Sequence, residues 1–292
     1  MNILTFDIEE WYIEKVYHGG RQEKYVEFDR LLDNILDLLE KEKTKATFFC
    51  LGEMAISFPD IIRKIDSRGH EIGCHSHTHI WLNKLSREDV LEDTRSAINA
   101  LEQCIGKKVL SYRAPAFSIG ENNKWAFEVL AECGIERDAS IFPAQRDFGG
   151  FSTFTEKEPV IISYQGIEIK EFPISTLKLL GKEIVYSGGG YFRFFPISFI
   201  QNQIKKSNYT MTYFHIGDLI TEKYKLHSKQ EYETYYKEPG TLINRYKRYI
   251  KSNLGTKSAF PKLQTLIETN KFQNLDQIDN EYNWEDKDIL SL

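Results

Sequence analysis

The sequence predicts an α/β protein whose strands form a mostly parallel sheet. Short β-rich runs alternate with stretches of helical length from the start of the chain, and one of these runs, residues 46–51, is apolar throughout. Hydrophobic residues make up 41% and charged residues 28% of the chain, which is the balance of a folded globular protein. Repeated strand–helix units close into a barrel or form a doubly wound sheet, and the alternation by itself allows both.

The strand predictions rest on short β-rich runs. The first run covers residues 3–8, and the apolar run 46–51 is what a strand covered on both faces requires. Further strands are predicted at residues 71–74, 109–113, 135–139, 167–172 and 209–215. No GxGxxG or GxxxxGK motif follows the first strand, which argues against a dinucleotide site or a P-loop.

Four helices are predicted between the strands. One covers residues 28–39 and places six apolar side chains on one stripe: Phe28, Leu31, Leu32, Ile35, Leu36 and Leu39. Another covers residues 87–104 and follows Ser86, with Asp89 three residues on, an acidic capping arrangement. The remaining two cover residues 56–66 and 123–133.

The chain has 292 residues, enough for one large domain or two small ones. After about residue 220 the composition shifts toward Lys and Tyr without clear strand alternation. We therefore expect residues 1–220 to form the core and residues 221–292 to form a helical extension packed on it, within a single domain.

The charge balance and the cysteines narrow the partners and the compartment. Lys and Arg number 38 against 43 Asp and Glu, for a net charge of -5, so no basic excess steers the chain to nucleic acid. The four cysteines, Cys50, Cys74, Cys104 and Cys133, lie singly in apolar segments, which favours buried free thiols. With no secretory signal and no membrane-spanning run, we expect a cytoplasmic protein.

Polar side chains follow the predicted strands at their carboxyl ends. In barrels and open α/β sheets the chemistry lies at these ends. In chain order the ends carry Asp7 with Glu9, His75 with His77 and His79, then Arg113, Asp138 and His215. These are the residue types of one metal-assisted hydrolytic site.

The first strand end carries two carboxylates. Alternate residues of a strand share a face, so Asp7, Glu9 and Trp11 are expected to point one way and Ile8 toward the helical layer. Two carboxylates on an inward face need a cation or an arginine as compensation. The alternative is that both are solvated charges at a strand end.

Three of the seven histidines lie within five residues. If this segment begins a helix or a helical turn, His75 and His79 lie at i and i+4 on one side and can hold one metal, while His77 faces elsewhere. With Glu9 the set becomes two histidines and one carboxylate, which leaves positions open for water or substrate. The alternative is a polar loop.

Arg113 and His215 end two further strands. An arginine fork at Arg113 could pair with Asp7 and hold it ionised, and the alternative is a surface arginine. His215 follows an apolar strand, where a lone histidine is usually structural. The functional interpretation of His215 therefore depends on the other candidate residues at the strand ends.

Taken together, these residues resemble the polysaccharide deacetylase (NodB-homology) family over roughly residues 1–220. The similar motifs are Thr5-Phe6-Asp7, His75-Ser76-His77-Thr78-His79, Arg113-Ala114-Pro115, Asp138 and His215. The resemblance implies a distorted (β/α) barrel of about seven parallel strands, one divalent metal and removal of N-acetyl groups from sugars.

The resemblance also implies a role for each matching residue. Asp7 would be the catalytic base with Arg113 as its partner. His75 and His79 would ligate the metal. His215 would be the catalytic histidine, oriented by Asp138.

One position departs from the family's pattern. Most members carry a second Asp directly after the first as a metal ligand, and here that position is Ile8. Glu9, on the Asp7 face, is the expected replacement, with Glu10 as the weaker candidate. An Asp-x-(Glu/Asp) opening resembles a branch of the family associated with exopolysaccharide and O-antigen loci, and residues 188–193 (GGGYFR) are similar to that branch as well.

The expected reaction is metal-assisted amide hydrolysis. A divalent ion, Zn²⁺ first with Co²⁺, Ni²⁺ or Mn²⁺ as alternatives, lowers the pKa of a bound water, Asp7 takes the proton, and His215 protonates the departing amine. The metal and a backbone N–H near Ala116 hold the oxyanion. Four aromatic residues beside this chemistry are expected to contact the sugar: Trp11, Phe117, Tyr191 and Phe192.

Two other functions stay open, because fold and metal site do not fix the substrate. One is a related hydrolase of a non-sugar C–N bond, such as a cyclic ureide or imide. The other is a catalytically silent sugar-binding protein. The expected partner is an N-acetylated oligo- or polysaccharide, and the sequence allows a lipid-linked form of it and a homo-oligomeric protein.

A basic aromatic stretch lies in the C-terminal part. Arg245, Lys247, Arg248 and Lys251 are interleaved with Tyr246, Tyr249 and Ile250. Such a segment can rest on anionic lipid, which would make the protein peripheral to the inner face of a membrane. The favoured alternative is a helix with a solvated polar face whose apolar side packs on the barrel.

Overall fold

The computed structural model describes residues 1–144, 149–179, 181–220, 225–236, 238–285, 287 and 289–292. Within them the chain forms an α/β fold in which helices cover a central, mostly parallel sheet, as the sequence predicts. None of the helices in this part of the chain combines the length and the apolar character needed to cross a membrane.

The strands coincide closely with the β-rich runs of the sequence. In chain order they are β1 (Asn2–Ile3), β2 (Thr5–Ile8), β3 (Thr47–Cys50), β4 (Glu71–Cys74), β5 (Ser111–Tyr112), β6 (Arg137–Asp138), β7 (Val160–Tyr164), β8 (Ile167–Glu171), β9 (Thr176–Leu179), β10 (Lys182–Val185), β11 (Thr210–Met211), β12 (Phe214–His215) and β13 (Ile289–Ser291). The periodicity does not predict β7, β9, β10 or β13.

The central sheet has the order β12-β2-β3-β4-β5-β6-β8-β7-β13. The first seven of these strands are parallel to one another, which is the number that the family resemblance implies. The hairpin β7–β8 is antiparallel, and β13 adds to β7 at the edge. All the strand ends that matter for chemistry therefore lie at one edge of the parallel part.

The two ends of the parallel part approach each other without a continuous ladder. The hydroxyl of Tyr209 donates to the carbonyl of Pro173 at 2.9 Å, and the N–H of Met211 donates to Ser175 Oγ at 2.8 Å. These bonds join the chain after β8 to the chain at β11. The sheet is thus an incomplete, distorted barrel.

The predicted first and last strands of the barrel are each interrupted. Thr212 lies at the interruption, where the N–H of Thr5 donates to its hydroxyl oxygen at 3.3 Å and its hydroxyl donates to the carbonyl of Ile3 at 3.0 Å. These side-chain bonds add to the backbone bond from the N–H of Thr212 to the carbonyl of Ile3 at 3.0 Å, so the two segments stay paired across the interruption.

Most of the helices cover the outer face of the sheet, whereas the last one packs Leu275 and Ile278 into its interior. The helices are α1 (Glu10–Tyr17), α2 (Gln22–Lys41), α3 (Gly52–Ser57), α4 (Pro59–Ser67), α5 (Arg87–Ile105), α6 (Ala126–Glu132), α7 (Gly189–Phe194), α8 (Ile197–Lys206), α9 (Lys229–Tyr236), α10 (Leu242–Asn253), α11 (Thr256–Thr269) and α12 (Leu275–Glu281). The predicted stripe on α2 is buried, and Ser86 and Asp89 form a capping box at the start of α5.

The helix predicted over residues 56–66 is divided in the structure. It forms α3 and α4, which are separated at Phe58. Pro59 occupies the first turn of α4, and a proline restricts the residue before it to non-helical backbone angles. The break thus follows from one residue that periodicity ignores.

The core has one layer on each face of the sheet. Phe6 and Phe48 point outward into the layer that the helices cover, whereas Phe49 points into the curled interior with Phe117 and Phe172. Residues 225–292 contribute to both the cover and the sheet, because α11 packs on α7 and α8 and β13 pairs with β7. The cysteines Cys50 and Cys74 are buried free thiols.

Candidate active site

Five neighbouring parallel strands bring the candidate residues together. In the sheet His215 pairs with Asp7, and β2 runs beside β3, then β4, then β5. Asp7 is the residue before the last in β2. His75 directly follows β4, and Arg113 directly follows β5. Parallel pairing therefore places these side chains at one edge, as expected for such sheets.

Asp7 and Arg113 form a buried ion pair. Arg113 Nη1 lies 2.8 Å from Asp7 Oδ1, and both side chains are almost fully excluded from solvent. Nη1 also donates to Thr5 Oγ1 at 2.7 Å, and the guanidinium lies 4.2 Å from the ring centre of Phe49. The guanidinium of Arg113 thus supplies the opposite charge that a buried carboxylate requires.

Glu9, His75 and His79 form a cluster of ligand atoms that all lie within 4.8 Å of one another. Nε2 of His79 is 2.6 Å and Nε2 of His75 is 3.6 Å from Glu9 Oε2. The histidines do not lie on one helix: the segment is an irregular turn, in which His79 has a φ of +62°. The irregular turn thus brings His75 and His79 together, which we expected a helical i,i+4 spacing to do.

The surroundings of this cluster fit a divalent cation. His75 Nδ1 lies 2.7 Å from the carbonyl oxygen of Arg113, which can only accept, so Nδ1 carries the proton and Nε2 presents a lone pair to the cluster. Glu9 Oε2 is buried and has no aligned hydrogen-bond donor among the described residues. Burial opposes ionisation of Glu9, but His79, His75 and His215 together lower its pKa well below the ordinary value.

His215 reaches toward both carboxylates. Its Nε2 lies 3.8 Å from Asp7 Oδ2 and 3.6 Å from Glu9 Oε1, and the ring is partly exposed. Burial lowers its pKa, but the hydrogen bond to Asp218 and the charges of Glu9, Asp218 and Asp7 raise it well above the ordinary value. His215 is therefore suited to carry a proton at neutral pH.

The carboxylate that contacts His215 is Asp218, which corrects the expectation for Asp138. Asp218 Oδ2 lies 3.1 Å from His215 Nδ1, and Arg193 Nη1 lies 3.5 Å from Asp218 Oδ1. Burial raises the pKa of Asp218, but His215 and Arg193 outweigh this and lower it. Asp218 stands three residues after His215, and this i,i+3 spacing after a strand is the sequence signal that could have identified it.

Asp138 is fully buried and contacts Ser140 instead. Its carboxylate accepts from the hydroxyl of Ser140 at 2.5 Å and from the N–H of Ser140 at 3.2 Å. The Ser140 hydroxyl oxygen in turn accepts from the N–H of Ala114, the residue after Arg113. Asp138 thus supports the strand end that carries Arg113, rather than the imidazole of His215.

Three of the four expected sugar-contacting aromatic residues lie in the core. Trp11 belongs to α1 and not to an extension of β2, is 1% exposed, packs on Phe28 and donates to Asp29. Phe117 and Phe192 are also buried, against Tyr213 and Phe214 respectively. Because the strand ends at Ile8, Trp11 does not share the Asp7 face.

Two other predicted positions keep features that suit a ligand. Tyr191 is 40% exposed on α7. Ala116 lies in the turn after Arg113 with a φ of +54°, which is rare for a residue with a side chain. Ala116 is partly exposed beside the buried Arg113.

Glu10 and His77 lie outside the cluster. The N–H of Gly217 donates to Glu10 Oε1 at 2.6 Å, and burial together with the charge of Glu9 raises the pKa of Glu10 to about 7. His77 faces away, as expected: its N–H donates to Asp93 and its Nε2 lies 3.7 Å from Glu53. Glu9 is therefore the better candidate for the carboxylate ligand.

Comparison with known proteins gives matches for both halves of the chain. Residues 3–137 match the family described as Polysaccharide deacetylase, and residues 139–280 match a domain of unknown function, DUF3473. The two matched regions meet at β6, so each supplies strands to the same sheet.

Curated relatives are similar over about a third of the chain or less. A peptidoglycan-N-acetylglucosamine deacetylase from Bacillus cereus is 38% identical over 95 residues, 32% of this chain and 34% of the relative. A chitooligosaccharide deacetylase from Sinorhizobium fredii is 35% identical over 82 residues, 28% of this chain and 38% of the relative. The chain thus spans little more than a third of the length of these relatives.

One solved structure is similar over the whole chain. The crystal structure of a candidate polysaccharide deacetylase from Mycobacterium smegmatis has a TM-score of 0.66 at 16% identity and covers 100% of this chain and 92% of its own. At this identity the likeness shows the fold. The family match and the curated relatives show that part of this chain, residues 3–137 in the family match, is similar to polysaccharide deacetylases.

Proposed function

We propose that this protein is a metal-dependent hydrolase that removes an N-acetyl group from an amino sugar in an oligo- or polysaccharide and releases acetate. The observation that carries the proposal is the convergence, at one edge of the sheet, of three parts. These are the Asp7–Arg113 pair, the Glu9–His75–His79 cluster and the His215–Asp218 pair. The parts match the requirements of amide hydrolysis: a base, an electrophile's binding site and an acid.

Glu9, His75 and His79 would hold the metal, leaving positions open for water and substrate. When bound, a divalent ion there would polarise the acetamide carbonyl and make a water nucleophilic near neutral pH. We propose Zn²⁺, because two imidazoles and one carboxylate form a common catalytic zinc set, with Co²⁺, Ni²⁺ or Mn²⁺ as substitutes.

Asp7 and His215 would divide the proton transfers. Asp7, paired with Arg113, would accept a proton from the attacking water as the new C–O bond forms. His215, protonated and oriented by Asp218, donates from Nε2 to the amine nitrogen as the C–N bond breaks. The products are acetate and a free amino sugar, so atoms and charges balance.

We further propose that the substrate belongs to a bacterial surface polysaccharide. Two features support this proposal, because both are similar to the branch associated with exopolysaccharide and O-antigen loci. The carboxylate of the cluster comes from Glu9 rather than from position 8, and three glycines precede Tyr191. A Cβ on Gly188 would lie 2.2 Å from the carbonyl oxygen of Tyr213, so this glycine is required for close packing beside the strand of His215.

The test measures acetate release from N-acetylated chito-oligosaccharides and, in parallel, hydrolysis of a cyclic ureide and a cyclic imide. We expect release of acetate that chelation abolishes and that added Zn²⁺ restores. Asp7→Asn should lower kcat by about 10²–10⁴-fold, because the general base is lost. Activity that persists after both metal stripping and Asp7→Asn, or turnover of the cyclic compounds alone, would refute the proposal.

A matched pair of variants tests the ligand assignment without an activity assay. Glu9→Gln should lose bound metal in elemental analysis, whereas Glu10→Gln, which changes the neighbouring carboxylate, should retain it. The reverse result would assign the ligand to Glu10.

A further inference from the structure

Helix α10 is oriented opposite to an ordinary surface helix. Such a helix turns its apolar stripe toward the core and its charged side toward water, as α2 does in this protein. In α10 no residue is buried, and Leu242, Ile243, Tyr246 and Ile250 are all strongly exposed, with Ile243 at 67% and Ile250 at 60%. The expectation that this apolar side packs on the barrel is therefore wrong.

The arginines of α10 face the protein instead. The guanidinium of Arg248 lies 4.3 Å from the ring centre of Tyr236, and Arg245 donates to the carbonyl of His227 at 3.1 Å. These contacts hold the polar side of the helix against α9 and the segment before it. The apolar side is thereby fixed outward.

The exposed apolar surface continues onto α7. Arg193 donates to the carbonyl of Lys251 at 3.2 Å, so α7 and the end of α10 are adjacent. On α7 Phe194 is 62% exposed and Tyr191 is 40% exposed, and Leu254 directly after α10 is also exposed. We call these residues the α7–α10 surface: Tyr191, Phe194, Leu242, Ile243, Tyr246, Ile250 and Leu254.

The two chain segments that carry this surface contain basic and no acidic residues, although the whole chain has a net charge of -5. No Asp or Glu occurs in residues 239–267, which contain six Lys and Arg, or in residues 184–217, which contain three. Lys247 and Lys251 are exposed beside the apolar stripe. Apolar side chains bordered by lysines form the pattern of helices that lie in the interface of an anionic membrane.

We propose that the α7–α10 surface docks on an anionic lipid bilayer, with its apolar side chains in the headgroup boundary and Lys247 and Lys251 on lipid phosphates. Arg193 of α7 contacts Asp218, the partner of His215, so docking would bring the candidate active site close to the membrane. Docking would also present a lipid-linked N-acetylated saccharide to the site. Only this statement about the substrate rests on the proposed function.

Vesicle flotation of the full chain tests the docking. Vesicles of phosphatidylcholine alone are compared with vesicles that also contain phosphatidylglycerol, at low and high salt. We expect binding to the anionic vesicles that salt weakens. Ile243→Glu with Ile250→Glu, and separately Lys247→Glu with Lys251→Glu, should each lower the bound fraction about tenfold or more.

Val26→Glu is the matched control, because Val26 is 59% exposed on α2 and does not belong to this surface. It should bind like the unchanged protein, and unchanged circular dichroism should show that all variants fold. Asp7→Asn should also float normally, which separates this proposal from the enzymatic one. Absence of binding, equal binding to neutral vesicles, or a dimer that Ile243→Glu with Ile250→Glu dissociates without any lipid binding would overturn the docking.

Discussion

Arg113 links the two halves of the candidate site through different atoms. Its guanidinium pairs with Asp7, while its backbone carbonyl accepts from Nδ1 of His75. The first contact places a positive charge on a buried carboxylate, and the second fixes the tautomer in which Nε2 of His75 can bind a cation. A single strand end therefore positions both a proton acceptor and a metal ligand.

At the residue scale, the role of Asp218 can be separated from that of Asp138. Asp218→Asn removes the charge that raises the pKa of His215, so His215 should lose its proton at lower pH. We expect kcat to fall by at least about tenfold and the alkaline limb of the kcat/KM profile to move to lower pH. The measurement is a pH–rate profile for acetate release.

Asp138→Asn is the control for this prediction. Asp138 contacts Ser140 and not His215, so its replacement should lower stability while leaving the alkaline limb in place. A shift of that limb in Asp138→Asn, with none in Asp218→Asn, would return the orienting role to Asp138.

At the element scale, α1 decides which side chains reach the site. The strand β2 ends at Ile8 and α1 begins at Glu10, so Glu9 turns toward the histidines and Trp11 turns into the core. The end of α1 is held by Glu14, which accepts from the N–H, Nε and Nη2 of Arg21 at 3.1, 2.8 and 2.7 Å. This contact closes the connection to α2.

Replacing Glu14 should therefore cost stability in a pH-dependent way. Burial raises the pKa of Glu14, but the hydrogen bonds and the charge of Arg21 have the larger, opposite effect. The pKa of Glu14 therefore lies below its ordinary value of 4.5. A lowered pKa means that the stabilisation is complete above the unfolded-state pKa and is lost as the pH falls through the folded-state pKa. Glu14→Gln should lower the free energy of unfolding by about 1–3 kcal/mol near neutral pH.

Urea denaturation at a series of pH values measures this effect. The difference between Glu14→Gln and the unchanged protein should narrow as the pH falls below 4.5. Glu92→Gln, at an exposed position of α5, should show almost no difference at any pH. A gap for Glu14→Gln that is constant with pH would contradict the ionic origin.

At the scale of the whole molecule, the C-terminal part is built into the sheet. Arg137 of β6 lies 3.2 Å from Asp276 and from Asp279 of α12, and the N–H of Asp276 donates to Glu71 of β4 at 3.0 Å. Leu275 of α12 donates its N–H to Thr47 of β3 at 2.8 Å. These contacts join three strands of the parallel part to a helix near the end of the chain.

We therefore propose that residues 1–220 and 221–292 fold as one domain. The protein should unfold in a single cooperative transition, with coincident midpoints by far-UV circular dichroism and tryptophan fluorescence. Arg137→Ala should move both midpoints together to lower denaturant. Two separate transitions, of which Arg137→Ala shifts only one, would instead show two independently folding units.

The sequence alone determined the α/β class, the seven parallel strands and the residues at their ends, because period, apolar runs and strand-end chemistry are local properties of the chain. It also placed Asp7, Arg113, Glu9, His75 and His79 in one site. It could not determine where β2 stops, so Trp11 was assigned to the wrong face. Only one residue, Glu9, separates the end of β2 from the start of α1.

Only the tertiary structure decided which carboxylate reaches His215 and which side of α10 faces outward. Asp138 and Asp218 both follow or border apolar strands, and their distances to the imidazole depend on the curl of the sheet and on Arg193 of α7. The stripe on α10 has the same period whether it packs or stays exposed. Periodicity defines the face of a helix, whereas long-range packing decides what that face meets.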